Sequence, residues 1–391
     1  MLDSILVIAG VLGTAGWCVL HGLGAVSLAR APRVEDLDPP PPDRWPALSA
    51  IVPARDEEHT LGPAIESLLA QEYADLEVVI VNDRSTDGTG EVIDRLAGRD
   101  SRVETVHVET LPAGWLGKVH ALSAGSVKAS GEWLLYTDAD VHFSPGILAR
   151  AVAVAIGSNL DHLTLLPRLS SRGWLHGAVM SAYFNGYVRR AAGSPRIETP
   201  RGRPFGFGAF NLVRRGALDR TEGFRWLRME VLDDLALGAL IQRSGGRSGF
   251  AVAADSLRVT WYESLAEAVL GFDKNMFGGV AGYSYARLIV ATLGTLLLTA
   301  GPAALVLQQR VPGLAWVAVA GLACLAAEAI VARQRFGLKL SAGFLAPVAH
   351  LLAAWSMIRA GWWCWRRGGV LWRGTLYPLA ELRAGRRVRL P

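Results

Sequence analysis

The stretch WLLYTDADVHFSP, residues 133–145, runs from four apolar or aromatic side chains into two carboxylates, Asp138 and Asp140, and ends at a proline. Carboxylates are costly to desolvate unless a positive charge lies beside them. Two carboxylates at positions i and i+2 of an extended segment point the same way, so together they can hold a divalent cation that binds a diphosphate. The stretch therefore predicts a buried strand that ends in a charged site.

The triplet alone is a weak signal, because a second one, Asp36-Leu37-Asp38, occurs in the same chain. That copy lies in the proline-rich stretch DLDPPPPDRWP, with no strand before it. Prolines fix the backbone and remove hydrogen-bond donors, so residues 31–47 are predicted to form a stiff linker. Only the triplet that follows a strand is interpreted as a site.

Short apolar runs alternate with helical patterns after this linker. The runs are LSAIVPA, EVVIVND, VETVHV and EWLLYTD, and helical spacing appears between them, as at Leu61, Ile65 and Leu68. Strands and helices in alternation predict an α/β fold, with a Rossmann-like, mostly parallel sheet and helices on both of its faces. Ligands of such sheets bind outside the carboxyl ends of the strands.

Polar clusters follow directly after the first, second and fourth of these strands. They are ARDEE at 54–58, NDRSTDGT at 82–89 and DAD at 138–140. Because the carboxyl ends of parallel strands meet at one edge, the three clusters should converge there. In the second cluster Asp83 can accept the N–H of a nucleobase, although the same residues also suit an ordinary turn.

Apolar segments at both ends of the chain predict a membrane protein. Hydrophobic residues make up 51% of the 391, a high share for a soluble enzyme. Residues 1–30 read as an uncleaved transmembrane anchor, because an uncharged run of spanning length is followed by basic residues. Three further apolar stretches, at 286–307, 311–332 and 342–363, predict membrane segments within 284–365. We expect a multi-pass protein of the cell inner membrane.

Charge and cysteine usage indicate that the polar middle, residues 48–262, is cytoplasmic. Cys18, Cys324 and Cys364 all fall in apolar segments, so this domain has no cysteine, as expected in a reducing compartment. Residues 366–391 carry seven arginines against one acid, which predicts a cytoplasmic basic tail attracted to anionic lipid and not to nucleic acid. An anchor plus three full crossings would leave that tail outside, unless one late segment is re-entrant or interfacial.

Residues 263–283 precede the first late apolar segment and have amphipathic spacing. Leu265, Val269, Phe272 and Met276 fall on one side of a helix. The segment is therefore predicted to be an interfacial helix that guides a lipid acceptor. Upstream, RPFGFGAFNLVRR at 203–215 contains Gly206 and Gly208, which permit close backbone approach, although a plain strand with packed phenylalanines is an equal alternative.

Five motifs occur in the order and approximate spacing of family 2 glycosyltransferases with the GT-A fold. They are IVPARDEE, VIVNDRSTDGT, GWLGKVHAL, YTDADV and EVLDDLALGALI. The chain resembles this family over residues 48–277. The elements GWLGK and LWRGTLY make it most similar to the bacterial hopanoid-associated and carotenoid-type membrane enzymes and, more distantly, to ceramide glucosyltransferases.

The resemblance implies a nucleotide-sugar donor, expected to be a UDP-sugar, a divalent cation, Mn²⁺ or Mg²⁺, and inverting transfer by single displacement. It implies that Asp138 and Asp140 are the metal residues, Asp140 as the direct ligand. The residues that correspond to the donor site are Pro53, Arg55 and Glu57 around the nucleoside, Asp83 on the base, Lys118 near the donor, and Asp138 at the ribose or a metal-bound water.

The family's catalytic base is the aspartate of a Glu-Asp pair that opens a helix. Here the pair is Asp233-Asp234, so the resemblance assigns the base to Asp234. Displacing a nucleoside diphosphate needs charge neutralised on the leaving group and a proton removed from the acceptor hydroxyl. Asp233 would raise the pKa of Asp234 by like-charge repulsion. The alternative is that both acids only favour a helix N-terminus.

The sequence leads to one function and leaves two alternatives open. The leading prediction is transfer of one sugar to a membrane lipid such as a hopanoid or another polyisoprenoid-derived lipid. A processive polysaccharide synthase is the first alternative, and the Gln-x-x-Arg-Trp motif of such enzymes is missing. A non-catalytic membrane or transport protein is the second, and the apolar segments carry few ionisable residues for transport, chiefly Glu328 and His350.

Overall fold

A mixed eight-stranded sheet forms the centre of the polar domain in the computed structural model, which describes residues 2–171, 173–191, 196–307 and 313–388. Two short further strands form a hairpin near the C-terminus. The strands are β1 (Leu48–Ala54), β2 (Leu76–Asp83), β3 (Val103–Val108), β4 (Trp133–Tyr136), β5 (Val141–Phe143), β6 (His162–Ser170), β7 (Asn211–Arg214), β8 (Ser248–Thr260), β9 (Gly369–Trp372) and β10 (Thr375–Pro378).

Helices surround this sheet and extend from it. They are α1 (Leu2–Arg30), α2 (Leu61–Leu69), α3 (Thr89–Ala97), α4 (Gly117–Lys128), α5 (Ile147–Gly157), α6 (Trp174–Ala191), α7 (Arg215–Asp219), α8 (Phe224–Leu227), α9 (Asp233–Arg243), α10 (Leu265–Lys274), α11 (Tyr285–Leu307), α12 (Leu314–Phe336), α13 (Ser341–Arg367) and α14 (Leu379–Gly385). A turn of π-helix, Asn275–Val280, continues α10.

The sheet order is β3-β2-β1-β4-β7-β6-β8-β5. The strands β3, β2, β1 and β4 are parallel to one another, and β6 is parallel to β8, whereas β7 and β5 run antiparallel to their neighbours. Residues 78–81 of β2 are all buried, as expected of a parallel strand covered on both faces. The prediction of a mostly parallel sheet in an α/β fold is confirmed.

The segment after β4 differs from the prediction. The strand ends at Tyr136, and Asp138 and Asp140 lie in the turn that leads to β5, not in one extended segment. The turn is needed because β5 pairs with β8 at the far edge of the sheet and not beside β4. The prediction that one extended segment points both carboxylates the same way is therefore wrong, although both carboxylates lie at the sheet edge.

Among the described residues, four helices are long and apolar enough to cross a membrane: Val7–Arg30 of α1, Tyr285–Leu305 of α11, Ala315–Phe336 of α12 and all of α13. The predicted apolar segments at both ends of the chain are thus confirmed. Helix α1 packs closely on α11, since a Cβ added to Gly13 would lie 2.9 Å from the Cα of Gly301. Such close approach through small residues is typical of helix pairs in membranes.

Two predicted C-terminal features differ in the structure. Part of the apolar side of α10 packs on protein, since Phe272 is buried in one cluster with Val179 and Met180 of α6 and Ala349 of α13, whereas Leu270 is 61% exposed. The basic tail is folded and not extended, because its arginines bind backbone carbonyls of the domain, Arg383 that of Tyr283 and Arg387 that of Trp226, among others.

Candidate active site

The loops after β1 and β2 are held together at the carboxyl edge of the sheet. The backbone N–H of Thr86 donates to Asp56 Oδ1 at 2.7 Å, and that of Gly88 donates to Glu58 Oε2 at 2.7 Å. Asp56 and Arg84 both have positive φ, 54° and 56°, which is uncommon for residues other than glycine. The structure thus brings the first two predicted polar clusters together, with backbone strain of the kind found at functional sites.

Asp83 ends β2 as a buried side chain whose oxygens accept hydrogen bonds from Arg84, at 2.8 Å from Nε and 3.2 Å from Nη2. The helix α4 begins against it, since a Cβ on Gly117 would lie 2.6 Å from Asp83 Oδ2. Pro53 lies in β1 in register with Val81 of β2. The predicted nucleoside residues therefore line neighbouring strand ends.

Lys118 connects two acidic groups that are far apart in sequence. Its Nζ lies 2.6 Å from Asp138 Oδ1 and 3.7 Å from Asp233 Oδ2. Burial alone would lower the pKa of Lys118, but the charges of Asp138, Asp233 and Asp234 raise it above its ordinary value. The pKa of Asp138 is lowered overall, because Lys118 outweighs the effect of burial. Both groups are therefore charged near neutral pH.

Asp140 is the carboxyl group that is least well neutralised. Desolvation, followed by the charges of Asp138 and Glu57, raises its pKa to about 8. Mutually repelling carboxylates of this kind fit a divalent cation, whose preferred ligands are oxygens. Within the described ranges no three histidine, cysteine, aspartate or glutamate side chains form a ready metal site. A cation on Asp138 and Asp140 would thus need further ligands from water or phosphate, as is usual for Mg²⁺.

A small cavity lies beside these groups and is lined by Lys118, Asp138 and Gly208. Asp233 and Asp234, the first residues of α9, also line it. Burial, followed by the charge of Asp233, raises the pKa of Asp234 to about 7. A carboxylate with that pKa is a better proton acceptor than an ordinary aspartate and is still about half ionised at pH 7.

Gly206 and Gly208 of the aromatic segment lie in close contact with Asp234 and Asp138, respectively. A Cβ on Gly206 would lie 1.9 Å from the backbone oxygen of Asp234, and one on Gly208 would lie 2.4 Å from Asp138 Oδ2. The backbone N–H of Asp138 donates to the Gly208 carbonyl at 3.1 Å. The predicted close backbone approach is confirmed, and it fixes the turn after β4 against the start of α9.

A basic group that local sequence patterns did not predict faces these acids from the C-terminal part of the chain. Lys274 Nζ lies 3.7 Å from the ring centroid of Trp372, and Arg373 donates to Glu57 Oε1 at 3.0 Å and to the Arg55 carbonyl at 2.5 Å. Burial and the charges of Lys118 and Arg373 lower the pKa of Lys274 to about 8.

This group, the basic roof, consists of Lys274, Trp372 and Arg373. Arg373 and Gly374 both have positive φ, 45° and 76°, and form the two-residue turn between β9 and β10. The backbone N–H of Gly117 donates to Tyr377 Oη at 3.1 Å, which attaches the hairpin to α4. The motif LWRGTLY contains the only sequence signal for it, an Arg-Gly turn between apolar residues.

Residues 49–236 match the model of the family described as Glycosyl transferase family 2. The chain is similar to 4,4'-diaponeurosporenoate glycosyltransferase of Staphylococcus aureus, with 27% identity over 225 residues that cover 56% of this chain and 54% of the relative. It is 32% identical over 116 residues to EpsJ, an uncharacterized glycosyltransferase of Bacillus subtilis, which covers 30% of this chain and 32% of the relative. The chain thus spans between a third and just over half of these curated relatives.

Among solved structures, the chain resembles a mannosyltransferase of Pyrobaculum calidifontis determined in complex with GDP-Man and Mn²⁺. The TM-score is 0.54 at 20% identity, and the match covers 92% of this chain and 99% of the other. That likeness supports the fold. Taken with the matched family model, it means that the chain carries a family 2 glycosyltransferase domain with the GT-A fold.

Proposed function

We propose that the protein is an inverting glycosyltransferase that moves one sugar from a nucleotide-sugar, expected to be a UDP-sugar, to a hydroxyl of a membrane lipid. The observation that carries this proposal is that Lys118, Asp138, Asp233 and Asp234 line one cavity, and that the charges of Lys274 and Arg373 act on Asp138. The arrangement supplies positive charge for a diphosphate and a carboxylate for a proton at the same place.

In the proposed reaction the acceptor oxygen attacks the anomeric carbon as the bond from that carbon to the diphosphate oxygen breaks. Asp234 accepts the proton of the acceptor hydroxyl, and the electron pair of the broken bond leaves with the nucleoside diphosphate. Single displacement inverts the anomeric configuration. Asp234 suits the role because its pKa is raised to about 7.

Lys118 would stabilise the negative charge that develops on the leaving diphosphate, and the basic roof would bind the diphosphate of the donor before the reaction. Asp138 and Asp140 would hold a divalent cation, Mn²⁺ or Mg²⁺, which would add Lewis-acid stabilisation of that charge. Lys118 would keep Asp138 ionised in the donor-free protein and could turn toward phosphate when the donor is bound.

A lipid acceptor is supported by the four apolar helices and by the packing of α6, α10 and α13 beside the domain. A hopanoid or another polyisoprenoid-derived lipid fits the stated resemblance, and the relative from Staphylococcus aureus is named for 4,4'-diaponeurosporenoate. We place the domain on the cytoplasmic face of the inner membrane, because the cytoplasm supplies nucleotide-sugars.

The test is transfer of labelled sugar by membranes that contain the protein, supplied with a panel of UDP- and GDP-sugars and total lipid extract. We expect a lipid product heavier by one sugar, and Asp234→Asn should lower the rate by about 10²- to 10⁴-fold. Asp38→Asn, which changes an exposed acid of the linker triplet, is the matched control and should leave the rate unchanged. A polymeric product would favour the processive synthase, and full activity of Asp234→Asn would reject the assigned base.

A further inference from the structure

Helix α13 meets the length and hydropathy criteria for a membrane span, yet both of its ends contact the glycosyltransferase domain. Just before its start, Lys339 Nζ donates to the Gly173 carbonyl at 3.0 Å. Just after its end, the chain enters the β9–β10 hairpin, whose Arg373 binds Glu57. The domain lies at one end of the crossing helices, and therefore on one side of the membrane. A crossing helix has its two ends on opposite sides, so α13 cannot cross while both of its ends contact the domain.

The length of α13 sharpens this conflict. Its 27 residues make a helix about 40 Å long, against a hydrocarbon core of about 30 Å. Were α13 to cross, its two ends would lie on opposite sides of the membrane. We propose that α13 lies in the plane of the membrane, as a surface that embeds the domain in one leaflet, and that α1, α11 and α12 are the crossing helices.

The inner side of α13 packs on α6 and α10 and also on the crossing helices, where the ring of His350 lies edge-on to that of Trp17 of α1. Small residues make up most of this side, and Ala349 packs beside Val179 of α6 and Phe272 of α10. Arg359 forms an ion pair with Asp273 at the end of α10. Near the C-terminal end, a Cβ on Gly361 would lie 2.4 Å from Leu288 Cδ2, in the first turn of α11. This end of α13 thus lies at the level where α11 leaves the domain.

The opposite side of α13 is an exposed apolar face, which we call the outer stripe. Its residues recur at alternating intervals of four and three, which keeps them on one side of a helix. They are 42% to 88% exposed and consist of Phe344, Val348, Leu351, Trp355, Ile358, Trp362 and Trp365. None carries a charge, whereas Lys339 precedes the helix and Arg366 and Arg367 end it.

Lipid is the occupant that this chemistry fits. Tryptophan prefers the membrane interface, where its ring is buried in the acyl region and its N–H stays near the headgroups, and terminal lysine and arginine side chains reach the phosphates. Helix α11 also carries exposed apolar residues, such as Ile289 and Leu293, which are 59% and 60% exposed. Because both ends of α13 contact the domain, these aromatic and basic groups can lie at the headgroup level of one leaflet.

The proposal resolves the count of crossings. Three crossings place the start of α1 on one side of the membrane and put the domain, α13 and the C-terminal hairpin on the other side. The test uses the otherwise native protein with an epitope tag appended to its C-terminus, in sealed vesicles. In vesicles whose orientation exposes the domain to added protease, added antibody should also bind the tag. Access only in vesicles of the opposite orientation would overturn the proposal.

Depth measurements test the position of α13 directly. Single cysteines at Phe344, Leu351, Ile358 and Trp365, in a variant with the three native cysteines replaced by alanine, would carry a fluorophore quenched by lipids labelled at known depths. In-plane placement predicts four depths within about 5 Å, one helical turn, near one headgroup level. A crossing helix would instead change depth by about 10 Å at each step of seven residues.

Ile289, Leu293 and Leu297 of α11 provide the matched comparison, because they are exposed on a crossing helix. Labels there should become deeper by about 6 Å at each step. If a second copy of the chain covered the outer stripe, labels on α13 would escape lipid quenching at every depth, which would also contradict the proposal. Should the cysteine-free variant fail to fold, the epitope result on the native chain decides the question alone.

Discussion

The strand-edge acids and the basic roof form the two halves of one site but are built in different ways. Glu57, Asp83, Asp138 and Asp140 each follow or end a strand of the parallel half of the sheet. Lys274 of α10 and Arg373 of the C-terminal hairpin approach these acids: both charges act on Asp138, and Arg373 binds Glu57. Helix α10 is held in turn by the ion pair between Asp273 and Arg359 of α13. The acids are positioned by the sheet, whereas the roof is positioned by elements next to the membrane.

This difference predicts separate roles. Changes at the strand edge should abolish the chemical step, and changes in the roof should weaken donor binding while chemistry continues. The roof is also linked to the proposed in-plane helix, since Asp273 binds Arg359 of α13 while its neighbour Lys274 faces Trp372. Contact with the leaflet can therefore influence the donor site through α10.

The largest effect is expected at the strand edge. Asp140→Asn removes the carboxylate with the raised pKa and should lower the transfer rate by about 10³-fold at saturating donor and Mn²⁺, because the proposed cation loses its direct ligand. The rate is measured as labelled sugar recovered in lipid. Asp38→Asn in the other Asp-x-Asp triplet should behave like the unchanged protein. Equal losses in both variants would mean that the triplet after β4 has no special role.

The glycines between the acidic groups come next. In Gly208→Ala the new methyl would meet the side chain of Asp138 at 2.4 Å, so we expect this carboxylate to turn away from Lys118, with unchanged Tm and a rate lowered by about 10²-fold. In Gly206→Ala the clash at 1.9 Å is with backbone, which cannot rotate away, so Tm should fall as well. Gly216→Ala is the control, because nothing lies within 4 Å of its added Cβ.

A smaller effect is expected in the roof. Arg373→Ala removes two hydrogen bonds to the β1 loop and a positive charge near the diphosphate, so the donor KM should rise by about 10-fold while kcat changes little. Arg366→Ala, an exposed arginine of the same C-terminal region, provides the matched control. A large fall in kcat with unchanged KM would assign Arg373 to the chemical step and remove the distinction between the two halves.

The two halves also differ in how far the sequence predicted them. The boundaries of β1 and β3 were read correctly, because β-branched residues between polar clusters are a local signal. The same signal placed Asp83, Asp138 and Asp140 at one edge. The turn after β4 was missed, because its cause is the pairing of β5 with β8, more than 100 residues away.

The roof could not be predicted from local patterns. Lys274 ends an apolar helix and Arg373 lies in a short hairpin, and each reads as an ordinary surface cation in its own segment. Their convergence depends on how α10, α13 and the hairpin pack, which no periodicity encodes. For the same reason the sequence predicts only that the basic tail is attracted to anionic lipid, whereas Arg383, Arg386 and Arg387 bind backbone carbonyls of Tyr283, Gly282 and Trp226.

The smallest expected effect is a shift in a pH profile. Burial and the charge of Asp233 raise the pKa of Asp234 to about 7, so below that pH the proposed base is protonated and cannot accept the proton of the acceptor. The rate should therefore rise with pH through about 7 and then level off. It is measured as kcat from pH 5.5 to 8.5 at fixed Mn²⁺.

Asp233→Asn separates the two causes of this raised pKa. It removes the like charge but keeps the burial, so the inflection should move to lower pH by up to about one unit. The pair begins α9 and was also open to a purely structural interpretation, in which both acids only favour the helix N-terminus. That interpretation predicts lower stability in Asp233→Asn with no movement of the inflection. A shifted inflection at unchanged Tm would show that Asp233 raises the pKa of Asp234 and does not act by stabilising the fold.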